Sequence, residues 1–384
     1  MYNTITEETT LTRAFIAVRK NKGCPGIDRQ SIKQFNKHLG THIRELSRLL
    51  REKRYQPLPS VRVSIPKPNG RTRPLGIPAV RDRVVQQAVR TIIEPTLEKI
   101  FNNASYGFRK GRSVHHALEQ IHRYINDGYE HVVDADIEDF FGTLNHQILM
   151  AKVRQTIPDK DVTALILKFL KAGVMEEGTL RKTTTGTPQG GVISPMLANL
   201  YLTELDDCME KAGLKLVRYA DDFVVLCKSV NQATYAYKTV RDKLGKLKLT
   251  LSDEKTSITD VSHSFTFLGY TFWKCKDTTY VFPSDKALYA YKSKVRHVTR
   301  RQQPKNIKMV IEKLNPLIRG WGNYFGHRDG KKRLTRLDEW TRMRLRSFLF
   351  KKRSISLKAH TKYPNSFFKE LGLVFLIDRM AHEP

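Results

Sequence analysis

The sequence predicts an α+β region, built from mixed strands and helices, followed by a basic helical domain. Three observations carry this prediction. Segments of alternating and of helical apolar periodicity follow one another without the regular strand–helix alternation of a parallel sheet. The chain has 384 residues, more than one hydrophobic core usually serves, so two or three subdomains are expected. From about Asp285 onward the pattern is helical and strongly basic.

The first part of the chain is predicted to be helical and then to form a hairpin. In "THIRELSRLLREKRY" the residues Ile43, Leu46 and Leu50 recur at helical spacing. The stretch "VRVSIPKPNGRTRPLGIP" alternates apolar residues and contains the turn signal Pro68-Asn69-Gly70. The next stretch, "RDRVVQQAVRTIIEPTLEKIF", is predicted to be a long helix.

The middle of the chain mixes strands with loops and helices. "HVVDADIEDFFGTLNH" opens as a strand and closes as a loop or helix start. A Gly-rich loop then leads into a helix, with Ser194 as its N-cap, Pro195 as its first residue and Gly213 as its stop. "VRYADDFVVLC" follows as strand, turn and strand. After a further helix, "LTLSDEKTSITD" and "FTFLGYTFW" are predicted to be strands.

The charge of the chain indicates a polyanionic partner. The formal net charge is +30 and the pI is about 10.0. Residues 281–360 contain 22 Lys and Arg against 5 Asp and Glu, so 22 − 5 = +17 of that charge lies in about a fifth of the chain. A solvated helix face normally mixes both signs, so nucleic acid is the expected partner. An anionic membrane surface is the alternative, but no apolar run is long enough to span a bilayer.

The cysteines and the N-terminus favour a cytoplasmic protein. The four cysteines, Cys24, Cys208, Cys227 and Cys275, are scattered without paired metal-ligand spacing. A zinc site or a disulfide framework is therefore not expected. The start "MYNTITEETT" lacks the basic and apolar segments of a signal peptide.

Two pairs of aspartates are candidates for metal binding. Asp134 and Asp136 are two residues apart in a predicted strand and so share one face. Asp221 and Asp222 occupy the predicted hairpin turn. Carboxylates at a strand end and a neighbouring turn can supply the hard oxygen ligands that Mg²⁺ prefers. The alternative is an ordinary acidic turn, and the residue pattern alone leaves both interpretations open.

These segments together resemble the reverse transcriptases encoded by bacterial group II introns. "YADD" resembles the polymerase signature of that family, "DADIEDFFGTLNH" its first catalytic motif, and "GTPQGGVISPMLANLYL" its template–nucleotide motif. "IPKPNGRTRPLGIP" and "SYGFRKGRSVHHAL" resemble its finger motifs. "LNPLIRGWGNYF" and "YPNSFFKELGL" resemble its thumb or maturase region. The resemblance spans nearly the whole chain, in order.

The resemblance implies a right-hand polymerase fold. It places an N-terminal extension and fingers in residues 1–125, and a palm with an antiparallel sheet in residues 126–280, where residues 150–190 belong partly to the fingers. An α-helical, maturase-like thumb is expected in residues 281–384.

The resemblance also assigns the catalytic carboxylates. Asp136 lies five residues before the aromatic Phe141, as the family's metal ligand does. With Asp221 and Asp222 it would hold two Mg²⁺ ions, with Mn²⁺ as the alternative ion. The carbonyl of Ile137 would add a ligand. Lys255 would lie near the departing pyrophosphate, or be a surface lysine. Two further acidic residues, Asp134 and Asp139, are then expected to be solvated or structural.

The family motifs imply a nucleotide pocket and a nucleic-acid surface. Phe141 would lie beneath the incoming sugar and exclude a ribose 2′-hydroxyl, and the alternative for it is a core position. The other expected nucleotide contacts are Lys67, Arg73, Gln189 and Gly190. The expected nucleic-acid contacts are Arg109, Lys110, Arg112, Arg300, Arg301, Lys331, Lys332 and Arg333. The helical spacing of Trp321, Tyr324 and Phe325 favours a place in the thumb core over base stacking.

The implied function is RNA-directed DNA polymerisation. A DNA or RNA primer would be extended with dNTPs on an RNA template, which the resemblance identifies as a structured intron or another non-coding RNA. A second hypothesis is an RNA-binding splicing cofactor whose polymerase site is secondary. A third is a domesticated relative in antiphage defence or DNA repair. No Cys/His-rich endonuclease segment follows the thumb-like region, so an insertion nuclease of its own is not expected.

Overall fold

Helices and three small sheets alternate irregularly along the chain, as the mixed periodicity predicts. The structure is a computed structural model, and it describes residues 1–66, 72–187, 190–304, 306–351 and 357–380. The chain consists of two compact units. One comprises residues 1–117 and 133–258, and the other comprises residues 118–132 and 259–384. The limits predicted for fingers, palm and thumb stay predictions. No helix within the described ranges is long and apolar enough to cross a membrane.

The chain begins with helices that build one side of the first unit. The predicted helix with Ile43, Leu46 and Leu50 forms, and all three side chains are buried. The helices up to residue 98 are α1 (Tyr2–Thr6), α2 (Glu8–Asn21), α3 (Ile32–Lys37), α4 (Leu39–Arg51) and α5 (Val80–Glu98).

The finger-like hairpin also forms where it was predicted. Strand β1 (Ser60–Pro66) pairs antiparallel with β2 (Thr72–Ile77), with Val61 opposite Ile77. The turn signal Pro68-Asn69-Gly70 lies outside the described residues. Two short strands, β4 (Val174–Glu176) and β5 (Thr179–Arg181), extend the sheet in the order β2-β1-β4-β5.

The central sheet carries the aspartate motifs. Its order is β6-β7-β3-β8, and it contains the predicted strand–turn–strand. Its strands are β3 (His131–Asp136), β6 (Lys215–Tyr219), β7 (Asp222–Cys227) and β8 (Ser257–Asp260). The helices between residues 114 and 246 are α6 (Val114–Asn126), α7 (Phe140–Thr143), α8 (His146–Thr156), α9 (Lys160–Lys171), α10 (Ser194–Lys211) and α11 (Val230–Lys246).

Helix α10 differs by one residue from its predicted start. Ile193 is the N-cap, and Ser194 is already the first helical residue. The Ser194 hydroxyl accepts a hydrogen bond from the Thr187 hydroxyl at 2.7 Å, so it serves the preceding loop as well as the helix. The predicted stop is confirmed, since Gly213 has a left-handed φ of +69° just after the helix.

The C-terminal part is helical, as expected, and α12 begins at Asp285 as predicted. A three-stranded sheet of order β11-β10-β9 precedes it, with β9 (Phe265–Phe267), β10 (Tyr270–Cys275) and β11 (Thr278–Pro283). The helices are α12 (Asp285–Val298), α13 (Ile307–Phe325), α14 (Lys331–Phe350), α15 (Leu357–Lys362) and α16 (Asn365–Glu370). Their apolar faces form a separate core around Tyr291, Leu314 and Leu345.

Candidate active site

The "YADD" segment forms a tight β-hairpin turn. Tyr219 at the end of β6 is paired with Asp222 at the start of β7, so only Ala220 and Asp221 lie in the turn. Ala220 has a left-handed φ of 61°, which two-residue hairpin turns require at their first position. The predicted placement of both aspartates at the hairpin end is confirmed.

Strand β3 lies beside β7 and presents the other acidic pair. Val133 and Ala135 are buried, whereas Asp134 and Asp136 are only partly buried. The two aspartates therefore share the opposite face of the strand, as their spacing predicts. The sheet order thus brings the β3 carboxylates next to the β6–β7 turn.

The four carboxylates are electrostatically coupled. Burial is the main cause that raises the pKa of Asp222 to about 7, and the charges of Asp134, Asp136 and Asp221 act in the same direction. Burial and the charge of Asp136 raise the pKa of Asp134 to about 6. Asp134, which was expected to be solvated or structural, is half-buried on the same face as Asp136, and its role stays a prediction.

A lysine neutralises part of the cluster. The Lys255 ammonium lies 2.5 Å from Asp136 Oδ2, and 57% of its side chain is exposed. The segment just before Lys255 also contacts β3, since the Ser252 amide donates to the Asp136 carbonyl at 2.9 Å. Ile137, the predicted backbone ligand, bridges Leu251 and has a buried side chain. Lys255 thus lies beside the carboxylate cluster, where its long and largely exposed side chain supplies a counter-charge.

The donor set fits a divalent cation in its chemistry. Four carboxylates supply hard oxygen ligands and a surplus of negative charge that a cation would relieve. No three His, Cys, Asp or Glu side chains among the described residues are already arranged as a ligand group. The ammonium of Lys255 binds Asp136 Oδ2 in this arrangement, so a metal ion at that oxygen would have to displace the lysine.

The "SYGFRKG" segment packs directly against the β6–β7 turn. A side-chain carbon added to Gly107 would lie only 2.5 Å from the Ala220 amide nitrogen. The Arg218 amide donates to the Ala104 carbonyl at 2.8 Å, and the Tyr106 amide donates to the Arg218 carbonyl at 2.8 Å. The backbone of the finger-like motif therefore runs along β6 and supports the turn.

Phe141 lies on the short helix α7, beside the Gly-rich loop. Its carbonyl accepts a hydrogen bond from the Thr187 amide at 2.8 Å, and its half-buried ring lines a pocket with Gly142 and Gly186. A carbon added to Gly142 would lie 2.1 Å from Asp139 Oδ2, so the exposed Asp139 side chain would have to move to admit it. Asp139 is the N-cap residue of α7, and its expected solvated or structural role stays a prediction.

The other predicted nucleotide contacts are only partly described. Lys67 and Gln189 lie outside the described residues, and so does the side chain of Arg73. Gly190 has a left-handed φ of +114°, and a carbon added to it would lie 2.6 Å from the Gly76 carbonyl oxygen. The Gly190 backbone therefore approaches β2 closely, as its lack of a side chain allows.

The three basic residues of "FRKGR" have different environments. Arg109 is buried, and its guanidinium binds Glu98 at 2.6 Å and two backbone carbonyls. Arg112 donates to the Asn103 carbonyl and side chain, both at 2.6 Å. Lys110 is exposed. Of the three, Lys110 remains a candidate template contact, whereas Arg109 and Arg112 hold their own loop together.

The second unit contains the other predicted basic contacts. Arg300, Lys331 and Lys332 are exposed, and Arg301 is half-buried. Arg333 forms an ion pair with Asp285 and lies over the Phe282 ring at 4.3 Å. The first four stay predictions as nucleic-acid contacts, and Arg333 has a local structural partner.

The aromatic residues of "RGWGNYF" pack inside the second unit, as predicted. The Trp321 and Phe325 rings are 4.4 Å apart, and Trp321 also contacts Tyr291 at 5.1 Å. The Tyr324 hydroxyl donates to the Leu268 carbonyl at 3.0 Å. These rings join α13 to α12 and to the strand connection at Leu268.

The sequence interpretation missed the buried residues that hold the β6–β7 turn in place. Arg218, Asp206 and Asn199 are fully buried and hydrogen-bonded to one another. One signal was available, because Arg218 interrupts an apolar strand immediately before "YADD". A charged residue in a buried strand requires a partner, but the partner lies on another element.

Removing the charge of Asp222 should stabilise the metal-free protein at high pH. The carboxyl group binds its proton more tightly in the folded protein than in the unfolded one, whose pKa is about 4. The free energy of unfolding therefore falls as pH rises from about 4 to about 7. We expect Asp222→Asn to unfold a few degrees above the wild type at pH 8 in chelator, with a smaller gap at pH 5.

Thermal unfolding of both proteins at the two pH values measures this gap. The exposed Asp127, changed to Asn, is the control and should leave the unfolding temperature unchanged. An equal difference in unfolding temperature at both pH values would show that charge repulsion at Asp222 does not destabilise the folded protein.

Two family models match the chain. The model described as reverse transcriptase (RNA-dependent DNA polymerase) matches residues 65–272, more than half of the chain. The model of the group II intron maturase-specific domain matches residues 288–363.

Two curated proteins are similar to the chain over long stretches. "Protein YkfC" of Escherichia coli is 36% identical over 307 residues, which cover 69% of this chain and 81% of that protein. The "Group II intron-encoded protein LtrA" of Lactococcus lactis is 34% identical over 297 residues, which cover 59% of this chain and 49% of LtrA. The chain thus spans about half the length of LtrA.

Among solved structures, apo telomerase from Candida tropicalis matches with a TM-score of 0.53 at 11% identity, over 85% of this chain and 61% of that one. Telomerase from Candida albicans, in complex with a fragment of telomeric RNA, matches with a TM-score of 0.51 at 13% identity, over 84% and 60%. At such identities the similarity concerns the fold alone.

Proposed function

The chain belongs to the reverse transcriptase family, the RNA-directed DNA polymerases, and carries a group II intron maturase-specific domain; from this premise we propose that Asp136, Asp221 and Asp222 form its polymerase centre. The observation that carries the proposal is the coupled carboxylate cluster where β3 meets the β6–β7 turn. Primer extension by the purified chain on a defined RNA template, with a DNA primer, dNTPs and Mg²⁺, tests it.

Different residues of the chain have different roles in the proposed phosphoryl transfer. When bound, two Mg²⁺ ions would activate the primer 3′-hydroxyl and neutralise charge on the dNTP phosphates. Asp136, Asp221 and Asp222 provide the oxygens for them, with the Ile137 carbonyl as a further donor. Lys255 releases Asp136 and places its ammonium by the pyrophosphate. Positioning and charge supply most of the acceleration in such reactions.

Asp134 has a separate place in this scheme. Asp134 lies on the same face of β3 as Asp136, so its negative charge lies near the proposed metal ligands. That charge strengthens the attraction for cations but is costly when none is bound.

The second unit supports a role in binding structured RNA. It contains the maturase-specific match and half of the chain's net positive charge, +15 of +30, including the exposed Arg300, Lys331 and Lys332. Lysines and arginines of this kind neutralise phosphates and give a salt-dependent affinity. Intron RNA serves both as template and as the partner of maturase activity in this proposal. A role in defence or repair stays a prediction.

Phe141 is expected to select deoxynucleotides. Truncation to Ala should remove the steric clash with a ribose 2′-hydroxyl, so that discrimination between dNTP and rNTP falls at least about tenfold. Single-nucleotide incorporation kinetics with matched dATP and ATP measure the ratio of kcat/KM values. Phe141→Tyr keeps the bulk of the ring and serves as the control. An unchanged ratio in Phe141→Ala would place the selecting side chain elsewhere.

A further inference from the structure

Arg218 is a charged residue in the interior of the first unit. It is the residue of β6 directly before Tyr219, and its side chain is 0% exposed. Burial of an unpaired guanidinium is very unfavourable, so its contacts explain why the site tolerates it.

One edge of the guanidinium is held by Asp206 on α10. Arg218 Nε donates to Asp206 Oδ1 at 2.7 Å, and Nη2 donates to Oδ2 at 2.5 Å. The Asp206 side chain is also 0% exposed. This bidentate geometry fixes the plane of the guanidinium as well as its charge.

The remaining donor reaches the catalytic turn. Arg218 Nη1 donates to the Ala220 carbonyl at 2.8 Å and to Asn199 Oδ1 at 3.0 Å. The Asn199 amide in turn donates to the Gly107 carbonyl at 2.7 Å. The network therefore links α10, the catalytic turn and the Gly107 segment through hydrogen bonds of the protein alone.

We propose that Arg218, Asp206 and Asn199 are positioning residues that set the orientation of Asp221 and Asp222 for metal binding. The inference rests on the proposed function and extends it to the interior of the fold. Ala220 is left-handed and directly precedes Asp221, so the position of its carbonyl determines where that carboxylate points. The planar guanidinium binds a carboxylate with two of its nitrogens and offers the third nitrogen to two further oxygens, a fixed fork that a lysine ammonium does not reproduce.

Stability alone does not account for this arrangement. A buried ion pair is often no more stabilising than well-packed apolar side chains of similar volume. The double variant Asp206→Leu/Arg218→Met should therefore fold, while losing the hydrogen bond to the Ala220 carbonyl. It separates the positioning role from the packing role.

Mn²⁺ binding without nucleic acid is the direct readout. Electron paramagnetic resonance titration of free Mn²⁺ should show roughly 10–100-fold weaker binding by the double variant, the range that residues behind metal ligands typically govern. Its unfolding temperature in chelator should stay near that of the wild type, whereas the stabilisation by Mn²⁺ should shrink. Asn199→Ala, which keeps the ion pair, should weaken Mn²⁺ binding to a smaller degree.

Tyr55→Phe is the matched control. It removes a similarly buried hydrogen bond, from the Tyr55 hydroxyl to Asp82 at 2.6 Å, away from the turn. It should lower the unfolding temperature and leave Mn²⁺ binding unchanged.

Wild-type Mn²⁺ binding by a folded double variant would overturn the proposal. If that variant does not fold, Arg218→Lys is tested instead, because its ammonium can neutralise Asp206 without holding the Ala220 carbonyl. Normal Mn²⁺ binding by Arg218→Lys would also overturn the proposal. The proposed polymerase function would survive either result if the wild type extends primers and Asp221→Ala does not.

Discussion

Asp221→Ala should lose primer extension on an RNA template by about 10³-fold or more, since a metal ligand at a phosphoryl-transfer centre is worth several kcal/mol. The carboxylate lies in the two-residue turn between β6 and β7, beside the β3 aspartates. Steady-state incorporation of a labelled dNTP measures the loss. Filter binding should show that affinity for the RNA is retained.

The chain offers a closely matched control for this variant. Asp277 lies in the turn between β10 and β11, behind a residue with the same left-handed conformation, Lys276 at φ 54°. Asp277→Ala should extend primers normally. If Asp221→Ala also extends primers normally, the assignment of the polymerase centre is wrong.

The same variant separates the two activities of the family. Splicing of a cognate intron should survive in Asp221→Ala, because the maturase-specific match covers residues 288–363 and excludes the turn. If splicing fails along with extension while RNA binding persists, a maturase role independent of polymerisation is untenable.

The second large effect is expected for Gly107→Ala. The new methyl group would lie 2.5 Å from the Ala220 nitrogen and 3.0 Å from the Tyr219 carbonyl carbon, both backbone atoms. The catalytic turn must therefore shift, and a displacement of about 1 Å can reduce kcat about 100-fold. Overpacking should also cost about 1–3 kcal/mol of stability.

Pre-steady-state incorporation together with thermal unfolding separates these two consequences. Gly245→Ala on α11 is the control, since nothing lies within 4 Å of its added carbon. A folded Gly107→Ala protein with wild-type kcat would show that the turn tolerates the displacement, and that its position is not critical.

Much of the centre could be predicted because its signals are local. Alternation in β3 places Asp134 and Asp136 on one face, and an acidic pair between two apolar strands predicts the hairpin turn. The family motifs then selected Asp136, Asp221 and Asp222. These properties depend on residues close in sequence, which periodicity describes well.

The remaining features depend on the tertiary arrangement. The proximity of Asp134 to Asp222 follows from the position of β7 beside β3, which spacing along the chain does not reveal. Arg109 appears in a basic motif like a nucleic-acid contact, yet Glu98 and two carbonyls hold it inside the protein. Burial of a long basic side chain depends on partners elsewhere in the fold.

The contacts of Arg218 also depend on the tertiary arrangement and cannot be predicted from the local sequence. An arginine within an apolar strand indicates that a partner is needed, but that partner, Asp206, belongs to α10 and is not evident from the strand itself. The structure shows that this arginine faces inward and reaches the Ala220 carbonyl. The catalytic motif is therefore supported by residues outside its own signature.

The most direct test of the central claim is extension of a 5′-labelled DNA primer on a defined RNA template by the wild type and by Asp136→Ala, side by side. We expect full-length DNA from the wild type only when dNTPs and a divalent cation are both present. We expect no extension by Asp136→Ala at equal RNA affinity. Equal extension by both proteins, or none by a folded, RNA-bound wild type, would contradict the central claim.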